Sequence, residues 1–152
     1  MAEMERTLII AKPDAVQRGL VGEVFGRFER RGLQLVACRM LQVDRALAEE
    51  HYGEHRAKPF FESLVSFITS SPVVAGVFAG PGAIAIVRAT IGSTNPATSA
   101  PGTIRGDLGV DINRNLVHAS DGSESAKREI ALWFGQDAVT TWDRTLTPWI
   151  ME

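Results

Sequence analysis

The chain has 152 residues, of which 45% are hydrophobic, 22% charged and 7% aromatic. That is apolar material for the core of one ordinary domain, expected over 1–152, and it excludes disorder along the whole length. Sixteen Lys+Arg against eighteen Asp+Glu leave a net charge of −2, so nucleic acid is not an expected partner and any anion site must be local.

Residues 1–6 are acidic and carry no signal-peptide pattern, so the cytoplasm is the expected compartment. Residues 7–11 (Thr-Leu-Ile-Ile-Ala) read as a short strand that stops at Lys12-Pro13-Asp14, where proline ends ladder pairing. Val21, Val24, Phe25 and Phe28 have helical spacing, and Gly32 stops that helix. Residues 33–43 alternate loosely as a strand, with Leu33, Leu35, Ala37 and Arg39 on one side. The single cysteine, Cys38, excludes an internal disulfide framework and a multi-cysteine zinc site. Asp44 is a natural N-cap for a helix reaching about His55. Lys58-Pro59 breaks it, and Phe60, Leu64, Phe67 and Ile68 repeat the helical spacing.

Ser70-Ser71-Pro72 leads into a continuous apolar strand over 73–78. Gly80-Pro81-Gly82 turns into a helix over about 83–91, although Ile84-Ala85-Ile86-Val87 also suits a strand. The apolar run 73–87 is interrupted at this turn and is shorter than the roughly 20 residues a spanning helix needs, so no membrane association is expected. Residues 92–115 show no clear period; so long a loop is either functional or hides an element. Residues 116–119 form a short strand. Residues 123–134 form a helix with Ala126, Ile130, Trp133 and Phe134 on its apolar stripe. The tail, 135–152, reads as irregular, and Trp142 and Trp149 suggest that it is docked. Helices alternating with about four strands imply a sheet covered on at least one face.

No P-loop, dinucleotide-binding glycine motif or nucleophile elbow is present. His51 and His55 lie four apart, a spacing that can hold a metal. No H-E-x-x-H surrounds them and no thiolate is near, so they read as surface or nucleotide-facing side chains.

His118 precedes Ala119-Ser120-Asp121, a turn into a helix whose first N–H groups are free. Phosphate suits such a junction, and a satisfied core histidine is the alternative. Glu129 sits beside the apolar stripe of that last helix, where a carboxylate needs a partner. It either pairs with an imidazole N–H, fixing the ring, or forms a peripheral salt bridge. Lys12, Arg88 and Arg105 are candidate phosphate clamps. Thr94, Asn95 and Asn115 add polar groups in the long loop, and Tyr52 and Phe60 add aromatic surface. Alone, these residues say only that a phosphate site is possible.

Several blocks closely resemble nucleoside diphosphate kinases. They are Lys12-Pro13-Asp14-Ala15-Val16-Gln17-Arg18-Gly19-Leu20-Val21-Gly22-Glu23, His51-Tyr52-Gly53-Glu54-His55, Lys58-Pro59-Phe60-Phe61, Gly92-Ser93-Thr94-Asn95-Pro96, Pro101-Gly102-Thr103-Ile104-Arg105-Gly106-Asp107 and Arg114-Asn115-Leu116-Val117-His118-Ala119-Ser120-Asp121. Arg128-Glu129-Ile130-Ala131-Leu132-Trp133-Phe134 and Pro148-Trp149-Ile150 continue the match in order over nearly the whole chain.

The resemblance implies an α+β, ferredoxin-like βαββαβ sandwich: a four-stranded antiparallel sheet covered by helices, with a long loop and a C-terminal tail. It implies transfer of the γ-phosphate of a nucleoside triphosphate, such as ATP, to a nucleoside diphosphate by a ping-pong route through a phosphohistidine. Carried onto this chain, His118 is the nucleophile and Glu129 orients its ring. Lys12 and Asn115 hold the sugar 3′-hydroxyl, with Lys12 also near the reacting phosphate and Tyr52 supporting it. Arg88, Thr94, Arg105 and His55 hold phosphates, and Phe60 and Ile112 sandwich the base with Leu64 nearby. Mg²⁺ is the implied cofactor, carried on the phosphates with few or no protein ligands. A homo-oligomer is implied, and the tail resembles the hexameric rather than the tetrameric type. Contacts to sugar and phosphates, with only stacking on the base, imply little base discrimination.

The chain also departs from the family's usual pattern. Ala119 replaces the usual Gly after the nucleophile, which is tolerated if φ is negative there. Ile112 replaces Val, Ala11 and Ala15 replace a larger residue and a Gly, and Ser71 replaces Gly. Ile84, Ala85 and Ile86 make one helix unusually apolar, as if it faced a neighbouring helix or another subunit.

Overall fold

The computed structural model describes residues 4–135 and 137–152. Its elements run in order β1 (Glu5–Ala11), α1 (Pro13–Gln17), α2 (Val21–Arg31), β2 (Gln34–Leu41), α3 (Arg45–His51), α4 (Phe61–Ile68), β3 (Val73–Gly80), α5 (Ala83–Ile91), α6 (Ile104–Leu108), β4 (Val117–Ala119) and α7 (Ser123–Phe134). Single 3₁₀ turns lie at Gly53–His55, Pro96–Thr98 and Thr147–Trp149. The four strands form one sheet of order β2-β3-β1-β4, and every neighbouring pair is antiparallel. This is the expected α+β, ferredoxin-like sandwich. Among the described residues no helix is long and apolar enough to cross a membrane.

The sheet is covered on both faces. Successive side chains of a strand point to opposite sides, so Ile9 and Ala11 of β1 enter one core with Phe25, Phe28, Val87 and Ile91. Leu8 and Ile10 enter the other with Val65, Ile68 and Trp133. A strand buried on both faces reads as a continuous apolar run, which is why 7–11 and 73–78 show no alternation. Close approach has a backbone requirement as well: a Cβ on Gly76 would lie 2.6 Å from Phe25 Cε2, so only glycine lets α2 settle on β3.

Several expectations are corrected. Pro13 does not simply end β1; its fixed φ suits the first turn of a helix, and α1 begins there. In β2 the alternation of Leu33, Leu35, Ala37 and Arg39 fails because the register with β3 shifts between Leu35 and Ala37. Asp44 does cap α3, accepting the Leu47 N–H at 2.8 Å. The helix ends at His51, however, and the 3₁₀ turn redirects the chain before His55. Phe60 caps α4 rather than lying within it. The long loop 92–115 contains α6 and a 3₁₀ turn, too short to show a hydrophobic period.

The tail is docked only in part. Trp142 Nε1 donates to the Leu35 carbonyl at 3.0 Å, while Trp149 is 87% exposed. Ile86 packs against the core of its own chain, which accounts for part of the apolar excess of α5.

Candidate active site

His118 is the middle residue of β4, opposite Ile10 of β1. Its neighbours Val117 and Ala119 point into the α2–α5 core, so His118 faces the α3–α7 layer. There its Nε2 lies 2.9 Å from Glu129 Oε1, and the buried Ser120 hydroxyl donates to the same oxygen at 2.8 Å. Burial works against the Glu129 carboxylate. The bonds from His118 and Ser120, with the charges of His118 and Arg128, outweigh it and hold the pKa below the usual value. An ionised carboxylate can only accept. His118 Nε2 therefore carries the proton, and Nδ1, which makes no hydrogen bond among the described residues, keeps its lone pair.

The entry to β4 is strained. Leu116 has φ +73° and is the one non-glycine residue with positive φ among the described residues; a bulky side chain disfavours that conformation. Asp14 Oδ2 accepts the Leu116 N–H at 3.0 Å, and the Leu116 carbonyl accepts the Lys12 N–H at 2.9 Å. The Lys12-Pro13-Asp14 break thus grips the backbone leading to His118. Ala119 does not have positive φ, so its methyl is accommodated.

Cations converge from three elements. Lys12 Nζ donates to Asn115 Oδ1 at 2.9 Å, and Asn115 Nδ2 donates to the Thr94 carbonyl at 3.0 Å. Burial, then the charge of Arg105, pushes the Lys12 ammonium down to about 8 against the opposing pull of Asp14. Arg105 is buried, and its guanidinium donates to the carbonyls of Asn115, Gly92 and Val117. Burial, then Arg88, lowers its pKa to about 10. Arg88 is exposed, with Nη1 3.2 Å from the Ala119 carbonyl.

At the mouth, Phe60 and Ile112 remain 46% and 49% exposed, and Leu64 is half-buried. The Arg114 guanidinium lies over the Phe67 ring, 4.3 Å from its centroid, tying the loop that carries Ile112 to α4. His55 packs against Phe60, with Nδ1 3.0 Å from Lys58 Nζ. Tyr52 is buried, which raises its pKa, as does the charge of Glu129. Tyr52 makes no hydrogen bond to Lys12; its ring packs edge-on against His51.

Lys12, Tyr52, His55, Phe60, Leu64, Arg88, Thr94, Arg105, Ile112, Asn115, His118 and Glu129 all line one cleft of about 490 Å³. The structure adds residues that local sequence reasoning passed over. Asp14 and Ser120 stood inside matching blocks but showed their partners only in three dimensions. His51 was paired with His55 by spacing, yet it is buried, and its Nδ1 accepts the Trp133 Nε1–H at 3.0 Å. Ligating atoms of His51, His118 and Glu129 lie within 4.8 Å of one another. Those atoms already serve hydrogen bonds, so the cluster is a polar array and not a metal cage.

Fold and site define a class: a ferredoxin-like domain whose cleft sets one oriented imidazole among cations suited to phosphates. Comparison with known proteins agrees. The family model described as nucleoside diphosphate kinase matches residues 5–139. A nucleoside diphosphate kinase of Archaeoglobus fulgidus is 58% identical over 98% of this chain and 99% of its own. One from Nostoc punctiforme is 58% identical over 98% and 100%. Among solved structures, a halophilic nucleoside diphosphate kinase from Halobacterium salinarum in complex with CDP superposes with a TM-score of 0.96 at 48% identity, covering 99% of this chain and 100% of that one. A nucleoside diphosphate kinase family protein from Babesia bovis superposes with a TM-score of 0.94 at 49% identity, covering 97% and 100%. The chain belongs to the nucleoside diphosphate kinase family, whose members are phosphotransferases.

Proposed function

We propose that the chain, acting as one domain over 1–152, is an active nucleoside diphosphate kinase that works through a phosphohistidine at His118. The observation that carries this reading is the 2.9 Å contact between His118 Nε2 and Glu129, which leaves a lone pair on Nδ1. That lone pair attacks the γ-phosphorus of a nucleoside triphosphate. The bond from phosphorus to the β–γ bridging oxygen breaks, and the diphosphate leaves with the electron pair. A terminal oxygen of a second diphosphate then attacks the phosphorus, the P–N bond breaks, and the lone pair returns to Nδ1. Glu129 stabilises the imidazolium-like ring in both halves.

Lys12, Arg88 and Arg105 hold the charge of the transferring group, with Thr94 and His55 at the other phosphates. Lys12 and Asn115 take the sugar hydroxyl, with Tyr52 behind them. Phe60 and Ile112 cover the two faces of the base, with Leu64 alongside. Stacking without base-edge contacts predicts broad use of ATP and other nucleotides.

The donor set fits Mg²⁺. The cleft is lined by Lys12, Arg88, Arg105 and Arg114, and its buried carboxylate, Glu129, is engaged by His118 and Ser120. A hard cation carried on phosphates suits this better than a protein cage, with Glu54 and Asp121 the carboxylates placed to hold its water shell. When bound, Mg²⁺ neutralises phosphate charge. We read the protein as cytoplasmic and as a homo-oligomer, a hexamer rather than a tetramer. The exposed apolar residues Leu146, Trp149 and Ile150, at 61%, 87% and 45%, support a covered tail.

Incubation with γ-labelled ATP and Mg²⁺ tests the activity. A phosphohistidine gives an acid-labile, base-stable label that ADP or GDP removes and His118→Ala abolishes. Nucleotide binding without label would leave only a nucleotide-binding scaffold. Sedimentation velocity reads the assembly size.

A further inference from the structure

His51 closes α3 and is 3% exposed. An indole N–H only donates, so the 3.0 Å bond from Trp133 Nε1 requires a lone pair on His51 Nδ1. That excludes both the Nδ1–H tautomer and the imidazolium, leaving a neutral ring protonated at Nε2. Burial, then the charges of His118, Arg128, Lys12 and His55, push the His51 pKa down in the same sense. The ring stands edge-to-face against His118, with centroids 4.5 Å apart and planes at 79°. Its other neighbours fix it in turn: Tyr52 at 4.7 Å and 75°, Trp133 at 5.4 Å and 88°. Glu129 and Trp133 lie four residues apart on α7, both buried. One helix face therefore bonds His118 directly and reaches it again through His51.

We propose that His51 is a positioning residue: locked by Trp133 as an uncharged ring, it walls the His118 imidazole and keeps it turned onto Glu129. A hydrogen bond to one nitrogen leaves a ring free to tilt about that bond; a fixed aromatic edge against it removes the freedom. The wall must stay neutral, because a second cation there would add to the charge of Lys12 and disfavour imidazolium character on His118 during transfer. The inference rests on His118 being the nucleophile.

The test uses full-length protein, single-turnover labelling with saturating γ-labelled ATP and Mg²⁺, and long-range ¹H–¹⁵N spectra of the imidazoles. Asparagine Oδ1 can take the place of His Nδ1, so His51→Asn keeps the acceptor for Trp133 while removing the wall; His51→Ala removes both. Both variants are expected to label at least about tenfold more slowly, the scale of cost for a misplaced reacting group, with the KM for ATP within about twofold because His51 holds no phosphate. Wild-type spectra should show His51 protonated at Nε2 alone and His118 protonated at Nε2. In both variants the His118 signals should become a mixture of tautomers. His51→Asn should retain the wild-type urea midpoint, which separates positioning from folding. Wild-type labelling by His51→Asn, or a slow variant whose His118 tautomer is unchanged, overturns the proposal. Absence of label on the wild type would instead overturn the reading of His118.

Discussion

Glu129 Oε1 receives two hydrogen bonds at once, from His118 Nε2 at 2.9 Å and from the Ser120 hydroxyl at 2.8 Å. Ser120 is itself fixed to β1, where its hydroxyl accepts the Leu8 N–H at 3.3 Å and its N–H donates to the Leu8 carbonyl at 3.1 Å. The carboxylate that orients the imidazole is thus anchored to the central strand as well as to α7.

Replacing that carboxylate by an amide keeps its shape and removes its charge. Outer partners that orient a histidine are worth about 10–100-fold in activity, and Glu129→Gln should lose that much kcat with little change in KM. Ser120→Ala should lose less, since one of the two bonds remains. Steady-state kinetics with ATP and a second diphosphate decide; equal losses in KM would mean that Glu129 contacts nucleotide instead.

Lys12 gives opposite pH signatures for catalysis and stability. Its folded pKa of about 8 lies below the ordinary 10.5. As pH rises through about 8 the free enzyme loses this positive charge, so kcat/KM should fall. The kcat limb should lie higher, because bound phosphates favour the protonated amine. Between about 8 and 10.5 the unfolded chain binds more protons at this site than the folded one, so this group's contribution to stability rises with pH. Urea titrations of wild type and Lys12→Met across that window should differ by this rise; parallel curves would remove the assignment.

Arg105 and Arg88 should separate structure from binding. Arg105→Lys gives up three bonds to the backbone around His118 and leaves buried carbonyls unpaired, at a cost of about 2–4 kcal/mol. Arg88→Ala, at an exposed position, should stay within about 0.5 kcal/mol of wild type while raising the KM for nucleotide. Denaturant unfolding alongside kinetics distinguishes the two, and a fully stable Arg105→Lys would contradict the bracing role.

The guanidinium of Arg114 over Phe67 holds the loop bearing Ile112 near α4. A cation–π contact at an exposed site is worth about 0.5–1 kcal/mol, or roughly 2–5-fold in affinity. Arg114→Ala should raise the KM for nucleotides by that factor, more for purines, whose larger faces stack more. Unchanged KM values for all nucleotides would show that the loop needs no such tie.

The sequence by itself determined the α+β class, the helices with a clean period and the complete set of cleft-lining side chains proposed for nucleotide. Those features reside in local patterns: apolar spacing that must meet a core, an Asp44 cap, and contiguous blocks whose family resemblance carries functional residues with it. Only the tertiary structure decided the partners. His51 meets Trp133 and not His55, because α3 ends at His51 and α7 packs across it. Asp14 grips Leu116, and Ser120 bonds Glu129, through strand pairings that join residues far apart in the chain. The bulge in β2, the brief helix α6 and the neutral tautomer of His51 leave no local periodic signal, since each follows from hydrogen bonds and packing between segments that meet only when the sheet is assembled.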